Sequence, residues 1–369
     1  MKGLILAGGK GTRLRPITHT SAKQLVPVAN KPILFYAVEA VAAAGIDDIA
    51  IIVGDTAEAV QAACGDGSRW GVRLTYLPQE QPLGLAHCVR IAREFLGDDD
   101  FVMYLGDNLL EQDLAGFAER FTEAGHRANA PSFHDDHTAP SAWLLLAEVP
   151  DPHQFGVAEL GPDGRIVRLV EKPADPPSDL AMVGASFFTP AIHEAVAAIE
   201  PSARGELEIV DAIQWLIDHG QVVRHDVLTG WWLDTGKKDS VLDANRRVLE
   251  TLDTRVEGTV DDASSVDGRV VIEAGATVTN STIRGPVAIG AGAAITNSYV
   301  GPFTSIGERV RVIDSEVEGS VLLEDASLRG VPRLIDSLLG RDAEVTRSDR
   351  APRANRLLVG DHSTVELHT

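Results

Sequence analysis

Cysteine is nearly absent from this sequence, basic residues are outnumbered, and no long apolar run occurs. Two cysteines, Cys64 and Cys88, in 369 residues cannot build a disulfide framework. Lys and Arg number 33 against 54 Asp and Glu, a net charge of −21. Such an acid surplus repels a phosphate backbone and argues against general nucleic-acid binding; any phosphate bound here must meet a local cluster of cations. No window approaches the roughly 20 uninterrupted apolar residues of a membrane-spanning helix. The apolar opening, residues 3–7, gives way at once to glycines and basic side chains, unlike a secretory signal. These absences predict a cytoplasmic protein with neither nucleic acid nor membrane as partner. Aromatic residues are scarce in one part only: of 19, just Tyr299 and Phe303 fall after residue 252. The two parts of the chain are therefore built differently, and at roughly 150 residues per domain the length allows two or three.

The first part alternates strand-like and helix-like segments. Residues 2–7 read as a buried parallel strand running into a glycine-rich turn. Ile33, Leu34, Ala37, Val38, Val41 and Ala42 then recur with helical spacing, Pro32 suiting the first turn and Gly45 the stop. Further strands are predicted at 48–53, 72–77 and 101–105, with helices near 56–64, 83–95 and 112–125. This is βαβ alternation, hence an α/β domain with a mostly parallel, mixed sheet covered on both faces. A hairpin follows, strands 157–160 and 165–170 about the turn Pro162-Asp163-Gly164, then helices at 190–198 and 207–219. Residues 125–141 read as an exposed loop, and His134-Asp135-Asp136-His137 within it as solvated polar residues rather than a metal cluster.

From about Val256 the pattern becomes periodic. Ile272, Val278, Ile283, Ile289, Ile295, Val300, Ile306, Val312 and Val317 are spaced 6, 5, 6, 6, 5, 6, 6 and 5 residues apart, so three steps make a 17-residue coil. Thr279-Asn280-Ser281 recurs as Thr296-Asn297-Ser298, and Ile289-Gly290 as Ile306-Gly307. Short strands, each with one inward aliphatic side chain, describe a three-sided parallel β-helix whose narrow core has no room for aromatics. A β-sandwich would repeat its strands only every 8 to 12 residues or so. The border is placed at 252–253.

Leu6-Ala7-Gly8-Gly9-Lys10-Gly11-Thr12-Arg13-Leu14 follows the first strand, where α/β sheets bind ligands. It is not a dinucleotide fingerprint, because Leu14 stands where a small residue is needed. Nor is it a P-loop, because Lys10 is followed by Gly11 rather than Ser or Thr. What remains is a glycine turn whose backbone N–H groups face phosphates, with Arg13 and Lys23 supplying charge.

These residues, with Ser21-Ala22-Lys23-Gln24-Leu25-Val26-Pro27-Val28 and Asn30-Lys31-Pro32, resemble the opening of sugar-1-phosphate nucleotidylyltransferases. Lys23-Gln24-Leu25 resembles the glucose-1-phosphate thymidylyltransferases among them. The match continues through Leu105-Gly106-Asp107-Asn108, Phe155-Gly156-Val157, Val170-Glu171-Lys172-Pro173, Arg204-Gly205-Glu206-Leu207-Glu208 and Trp232-Leu233-Asp234-Thr235-Gly236. It covers about residues 1–250, and the appended coils resemble the left-handed β-helix of the long form. The resemblance implies that Leu6, Gly8, Gly9, Gly11, Thr12, Arg13, Gln24, Gln79 and Gly84 bind the nucleotide, with Gln79 and Gly84 at the base and Gln24 at the ribose. It implies that Asn108, Gly156, Glu171, Lys172, Gly184 and Arg204 bind the sugar phosphate, and that Asp107 and Asp234 hold Mg2+. Arg13, Lys23, Asp107, Lys172 and Asp234 would be catalytic, gathering dTTP and glucose 1-phosphate for in-line displacement of pyrophosphate, a reaction in which the protein mainly positions and neutralises. A glutamine amide can both donate to and accept from an imide edge but cannot sense a 5-methyl group, so UTP stays open. Ala185-Ser186 departs from the bulky residue and tyrosine usual in the family, which bears on sugar choice. Acyl transfer by the β-helix would need a histidine base, and none lies between His225 and His362. A non-catalytic subunit would be expected to have lost the phosphate and metal residues, which are present. The flat β-helix faces suggest a homo-oligomer.

Overall fold

The computed structural model describes residues 1–9, 11–19, 22–128, 139–347, 357, 359 and 361–366. His134 to His137 lie outside them. The chain divides into two compact units, residues 1–10 with Leu34–Asp234, and Gly11–Ile33 with Thr235–Thr369.

The first unit is built on a nine-stranded mixed sheet. Strand Lys2–Leu6 lies parallel between Asp48–Val53 and Phe101–Leu105, and Arg73–Pro78 adds to the outer side of Asp48–Val53. This half is the predicted βαβ array. Its inner strands are largely apolar, as burial on both faces requires: Leu4, Ile5, Ile49, Ile51 and Ile52 are fully buried, whereas the outer strand Arg73–Pro78 is partly exposed. The other half is mainly antiparallel, with Leu180–Phe188 joining Phe101–Leu105 on one side and Ala142–Glu148 on the other, and Val223–Val227 adding parallel to Ala142–Glu148. The predicted hairpin forms between Gly156–Leu160 and Ile166–Glu171, with Gly164 at φ 77° in its turn.

Two predicted elements shift and a third forms as expected. The helix expected over 83–95 is two, Leu85–Ile91 and Arg93–Leu96, interrupted at Ala92. The helix expected to stop at 125 runs over Leu114–Ala128, so the first residues of the expected loop are helical. The helix after Pro32 is Ile33–Ala43, closed by Gly45 at φ 77°.

The second unit contains the coils. Val270 stands opposite Val287 and Val287 opposite Thr304, a 17-residue step, in three parallel sheets of six, six and five strands. This is the three-sided stack of a left-handed β-helix, and all nine aliphatic positions of the periodicity lie in its core. The repeated Asn has a physical cause. Asn280 and Asn297 turn the corner at φ 45° and 48°, a region Asn tolerates better than other side chains. Asn280 Nδ2 donates to Asn297 Oδ1 (2.9 Å) and Asn297 Nδ2 to Asp314 Oδ1 (3.1 Å). The repeated Ser accepts the next coil's backbone, Ser298 N–H donating to Ser281 Oγ at 3.0 Å.

Helix Lys238–Leu249 and the segment Gly11–Ile33 pack with these coils. Elements do change type near 252, from that helix to strand Arg255–Val256, while packing groups the helix with the coils. Buried Asn245 is the polar joint. Its Oδ1 accepts from Ala29 N–H (2.8 Å) and Ser305 Oγ (2.7 Å), and its Nδ2 donates to the Phe303 carbonyl (3.0 Å). Leu242, Val321 and Leu323 form an apolar cluster with Ile17 and Leu338 against them.

Candidate active site

In the first unit, strand Phe101–Leu105 ends in Gly106 and the chain turns into the short strand Asn108–Leu110, which pairs antiparallel with Trp232–Asp234. Asp234 stands opposite Asn108, so the pairing sets Asp107 and Asp234 at neighbouring places on one rim. A side chain at Gly106 would press on the Leu6 carbonyl and Leu34 Cδ1, each 3.0 Å from a Cβ there, which explains the glycine. Asn108 is buried and its amide is fully directed. Its Oδ1 accepts from Trp232 Nε1 (2.6 Å) and its Nδ2 donates to Asp107 Oδ1 (2.8 Å). Asn108 thus orients a carboxylate, and Trp232, itself edge-on to Phe155 at 5.3 Å, orients Asn108.

The carboxylates of Asp107 and Asp234 are hard oxygen donors suited to a divalent cation that keeps water and substrate oxygens as its other ligands. No group of three or more His, Cys, Asp or Glu converges on one point among the described residues. That donor set fits an ion held jointly with phosphate better than an all-protein metal site.

The predicted sugar-phosphate residues form a second cluster. Gly156 is the register partner of Glu171. A Cβ at Gly156 would strike Val210 Cγ2 at 2.5 Å, and one at Gly184 the Asn108 side chain at 2.4 Å, so both glycines allow close packing around this rim. Glu171 Oε1 meets Lys172 Nζ at 3.2 Å and Arg204 Nη2 at 3.1 Å. Arg204 also donates through Nη2 to Glu208 (2.7 Å), through Nε to the same oxygen (3.3 Å), and reaches Glu206 at 3.5 Å. Glu208 is only 4% exposed and takes a further bond from Ser202 Oγ (2.8 Å). Burial, then Glu208 and Glu171, push the neighbouring Asp211 carboxyl above its ordinary range. Ala185 and Ser186 are buried in the sheet opposite Tyr104 and Met103, and the Ser186 hydroxyl finds no hydrogen-bond partner.

The residues expected to bind the nucleotide divide between the units. In the first, Leu6 is a core side chain whose carbonyl accepts from Gly106 N–H at 2.9 Å, and Gly8 and Gly9 follow it. A Cβ at Gly8 would sit 3.2 Å from Gln79 Oε1, so the glutamine and this turn are neighbours. Gln79 Nε2 donates to the Gly84 carbonyl (3.3 Å) and contacts His87 Nδ1 (3.1 Å). Gly84 has φ 100°, and a Cβ there would lie 2.3 Å from the Leu207 carbonyl oxygen. In the second unit, Gly11 has φ 60° and a Cβ there would meet Lys23 Cβ at 2.8 Å. Thr12 and Arg13 open a short 3-10 turn and are exposed, whereas Lys23 and Gln24 are buried, Gln24 with its Oε1 unpaired. A buried amide oxygen without a donor costs free energy. Sequence reasoning missed Trp232, His87 and Glu208 as supports of this site.

No described helix is long and apolar enough to cross a membrane. The family model described as nucleotidyl transferase matches residues 2–251. The whole chain is 56% identical to a glucose-1-phosphate thymidylyltransferase of Streptomyces griseus, covering 99% of that protein. It is also 56% identical to one of Streptomyces antibioticus, with both chains fully covered. The crystal structure of a Bacillus anthracis protein described as a glucose-1-phosphate thymidylyltransferase, in complex with a sucrose, superposes with a TM-score of 0.59 at 36% identity, covering 66% of this chain and 94% of that one.

Proposed function

The chain belongs to the nucleotidyl transferase family, and on that basis we propose that it transfers the thymidylyl group of dTTP to glucose 1-phosphate, giving dTDP-glucose and pyrophosphate. The observation that carries this reading is likeness to relatives of that name along the entire chain, β-helix included.

An oxygen of the sugar phosphate attacks the α-phosphorus in line. The new P–O bond forms as the bond to the β-phosphate breaks, and pyrophosphate leaves with that electron pair. A phosphate monoester with a second pKa near ~6 is already ionised at neutral pH, so no general base is required. The protein's task is to gather anions on a chain of net charge −21. Arg13 and Lys23 hold the triphosphate, with the turn of Gly8, Gly9, Gly11 and Thr12 offering N–H groups. Gln24 meets the ribose, and Gln79 with Gly84 meets the base. Lys172 and Arg204 hold the sugar phosphate, and Glu171 accepts from sugar hydroxyls beside Gly156, Gly184 and Asn108. Arg204 enters this role already bound to Glu171 and Glu208, so its guanidinium is oriented but shared. Asp107 and Asp234 would hold Mg2+, which supplies charge neutralisation at the α-phosphate when bound.

Acyl transfer finds no support in the β-helix, whose strands from Arg255 to Thr346 carry no histidine. The same proposal includes a cytoplasmic homo-oligomer joined through β-helix faces; a monomer in sedimentation at micromolar concentration would contradict the assembly. The reaction itself is tested by pyrophosphate release from dTTP, UTP, ATP, CTP and GTP against glucose, galactose and glucosamine 1-phosphates. Turnover is expected to be greatest for dTTP with glucose 1-phosphate. Equal turnover of ATP, or none with glucose 1-phosphate, would overturn the assignment.

A further inference from the structure

We infer that His87 is a positioning residue for base selection: it locks the Gln79 amide with its oxygen toward the nucleotide turn, so that this side chain offers a hydrogen-bond acceptor alone and favours bases bearing N3–H over cytosine. The inference rests on the nucleotide-binding role of Gln79 proposed above.

The chemistry of three atoms fixes the amide. Gln79 follows strand Arg73–Pro78, its backbone held by a bond from its N–H to the Val53 carbonyl at 2.8 Å. One end of its side-chain amide lies 3.3 Å from the Gly84 carbonyl oxygen and 3.1 Å from His87 Nδ1. A carbonyl oxygen only accepts, so the group beside it is the NH2 and not the amide oxygen. That NH2 only donates, so His87 Nδ1 must accept and the ring proton must sit on Nε2. Burial first, and the charge of Arg90 second, lower the His87 pKa and favour the neutral ring this requires. Both amide hydrogens are then used, and Oε1 is left facing Gly8.

The frame holding the acceptors is rigid. Gly84 abuts the Leu207 backbone too closely for any Cβ. Leu207 N–H donates to the Leu83 carbonyl (2.7 Å), and Ala86 N–H to the Leu207 carbonyl (3.0 Å). Cys88 lies on the same turn and donates through Sγ to the Gly84 carbonyl at 3.5 Å. An acceptor held this way pairs with the N3–H of thymine or uracil. It opposes the N3 lone pair of cytosine, leaving two acceptors face to face. The sequence reading of an amide that both donates and accepts is thereby narrowed to one that accepts.

The test is kcat/KM for dTTP and for dCTP, at saturating glucose 1-phosphate, in the full-length wild type, His87→Leu and His87→Asn. The wild type should prefer dTTP by about a hundredfold or more, the scale of discrimination by a mismatched polar contact. Leucine frees the amide to turn, so the preference should fall by about tenfold, through a raised KM for dTTP, while kcat stays within about threefold. Asparagine places an amide oxygen near the former Nδ1 and should restore the preference. Should the leucine variant fail to fold, His87→Phe removes the same acceptor with a ring in place. A leucine or phenylalanine variant with the full preference, or one losing turnover equally with both nucleotides, would overturn the positioning role. A wild type that turns over dCTP as well as dTTP would overturn the inference while leaving the reaction class standing. A wild type inert with every nucleotide would instead overturn the proposed function, and this inference with it.

Discussion

Glu208 has almost no access to water, and what it holds is Arg204, through two guanidinium nitrogens. Charge-assisted bonds of this kind orient as well as bind. Glu208→Ala should therefore raise the KM for glucose 1-phosphate about tenfold with a smaller change in kcat; initial rates decide, and an unchanged KM would separate Arg204 from the sugar phosphate. Asp107→Asn keeps the shape but removes a charge, and pyrophosphate release should fall by at least about a hundredfold while the melting temperature holds. Two further side chains bear on stability. Ser186 buries a hydroxyl with no partner, so Ser186→Ala should leave stability equal or raise it by about 1 kcal/mol in urea unfolding. Asp211 has a raised pKa, so the folded state favours its protonated form and that contribution is lost as pH rises through the raised value. Asp211→Asn should match the wild type in melting temperature at pH below about 4 and exceed it increasingly above. The family resemblance named Asp107, Asn108, Glu171, Lys172, Arg204 and Asp234, and the fold brings Asn108 to Asp107, and Lys172 and Arg204 to Glu171. Trp232 and His87 were not read as supports, because their roles depend on partners set by folding: Trp232 reaches Asn108 across 124 positions, and His87 acts only through the amide of Gln79.

At the scale of elements, legibility followed periodicity. The β-helix repeats its side chains every 17 residues and its corners in letters, so core and coil are both legible from the chain alone. The parallel strands were legible as aliphatic runs bounded by turns. Strands Ala142–Glu148, Leu180–Phe188 and Val223–Val227 and helix Lys238–Leu249 were not. A fully buried run such as Ala142-Trp143-Leu144-Leu145-Leu146 carries no alternation to tell strand from helix. Leu180–Phe188 is diluted by Ala and Gly, and a register shift interrupts its pairing with Ala142–Glu148 between Met182 and Ser186. The corner ladder can be tested by itself. Asn297→Ala loses two ladder bonds and leaves alanine at φ 48°, so unfolding free energy should fall by about 2 kcal/mol. Asn297→Gly, which tolerates that φ, should lose less, and equal losses would show that backbone strain plays no part.

At the scale of the whole molecule, the border drawn from composition is not the one drawn by packing. Gly11–Ile33, which carries Arg13, Lys23 and Gln24, belongs to the same compact unit as the coils, and Asn245 joins it to them. Nothing in the local sequence signals this, because the contacts run between residues more than 200 apart, as Ala29 and Asn245 are. If Arg13 and Lys23 hold the triphosphate as proposed, the coils help to hold those cations, where the sequence suggested only assembly. Asn245→Leu leaves the Ala29 N–H and Ser305 hydroxyl unpaired, and should raise the KM for dTTP more than that for glucose 1-phosphate; equal changes in both would contradict that link. Under the proposed function, the deficit of positive charge bears on binding a polymer, while a few placed cations would serve a single nucleotide. Thymidylyl transfer itself is decided by 31P NMR of the full-length protein with dTTP, glucose 1-phosphate and Mg2+. Equal amounts of dTDP-glucose and pyrophosphate should appear as both substrates disappear, and pyrophosphate or orthophosphate without a sugar nucleotide would contradict the assignment.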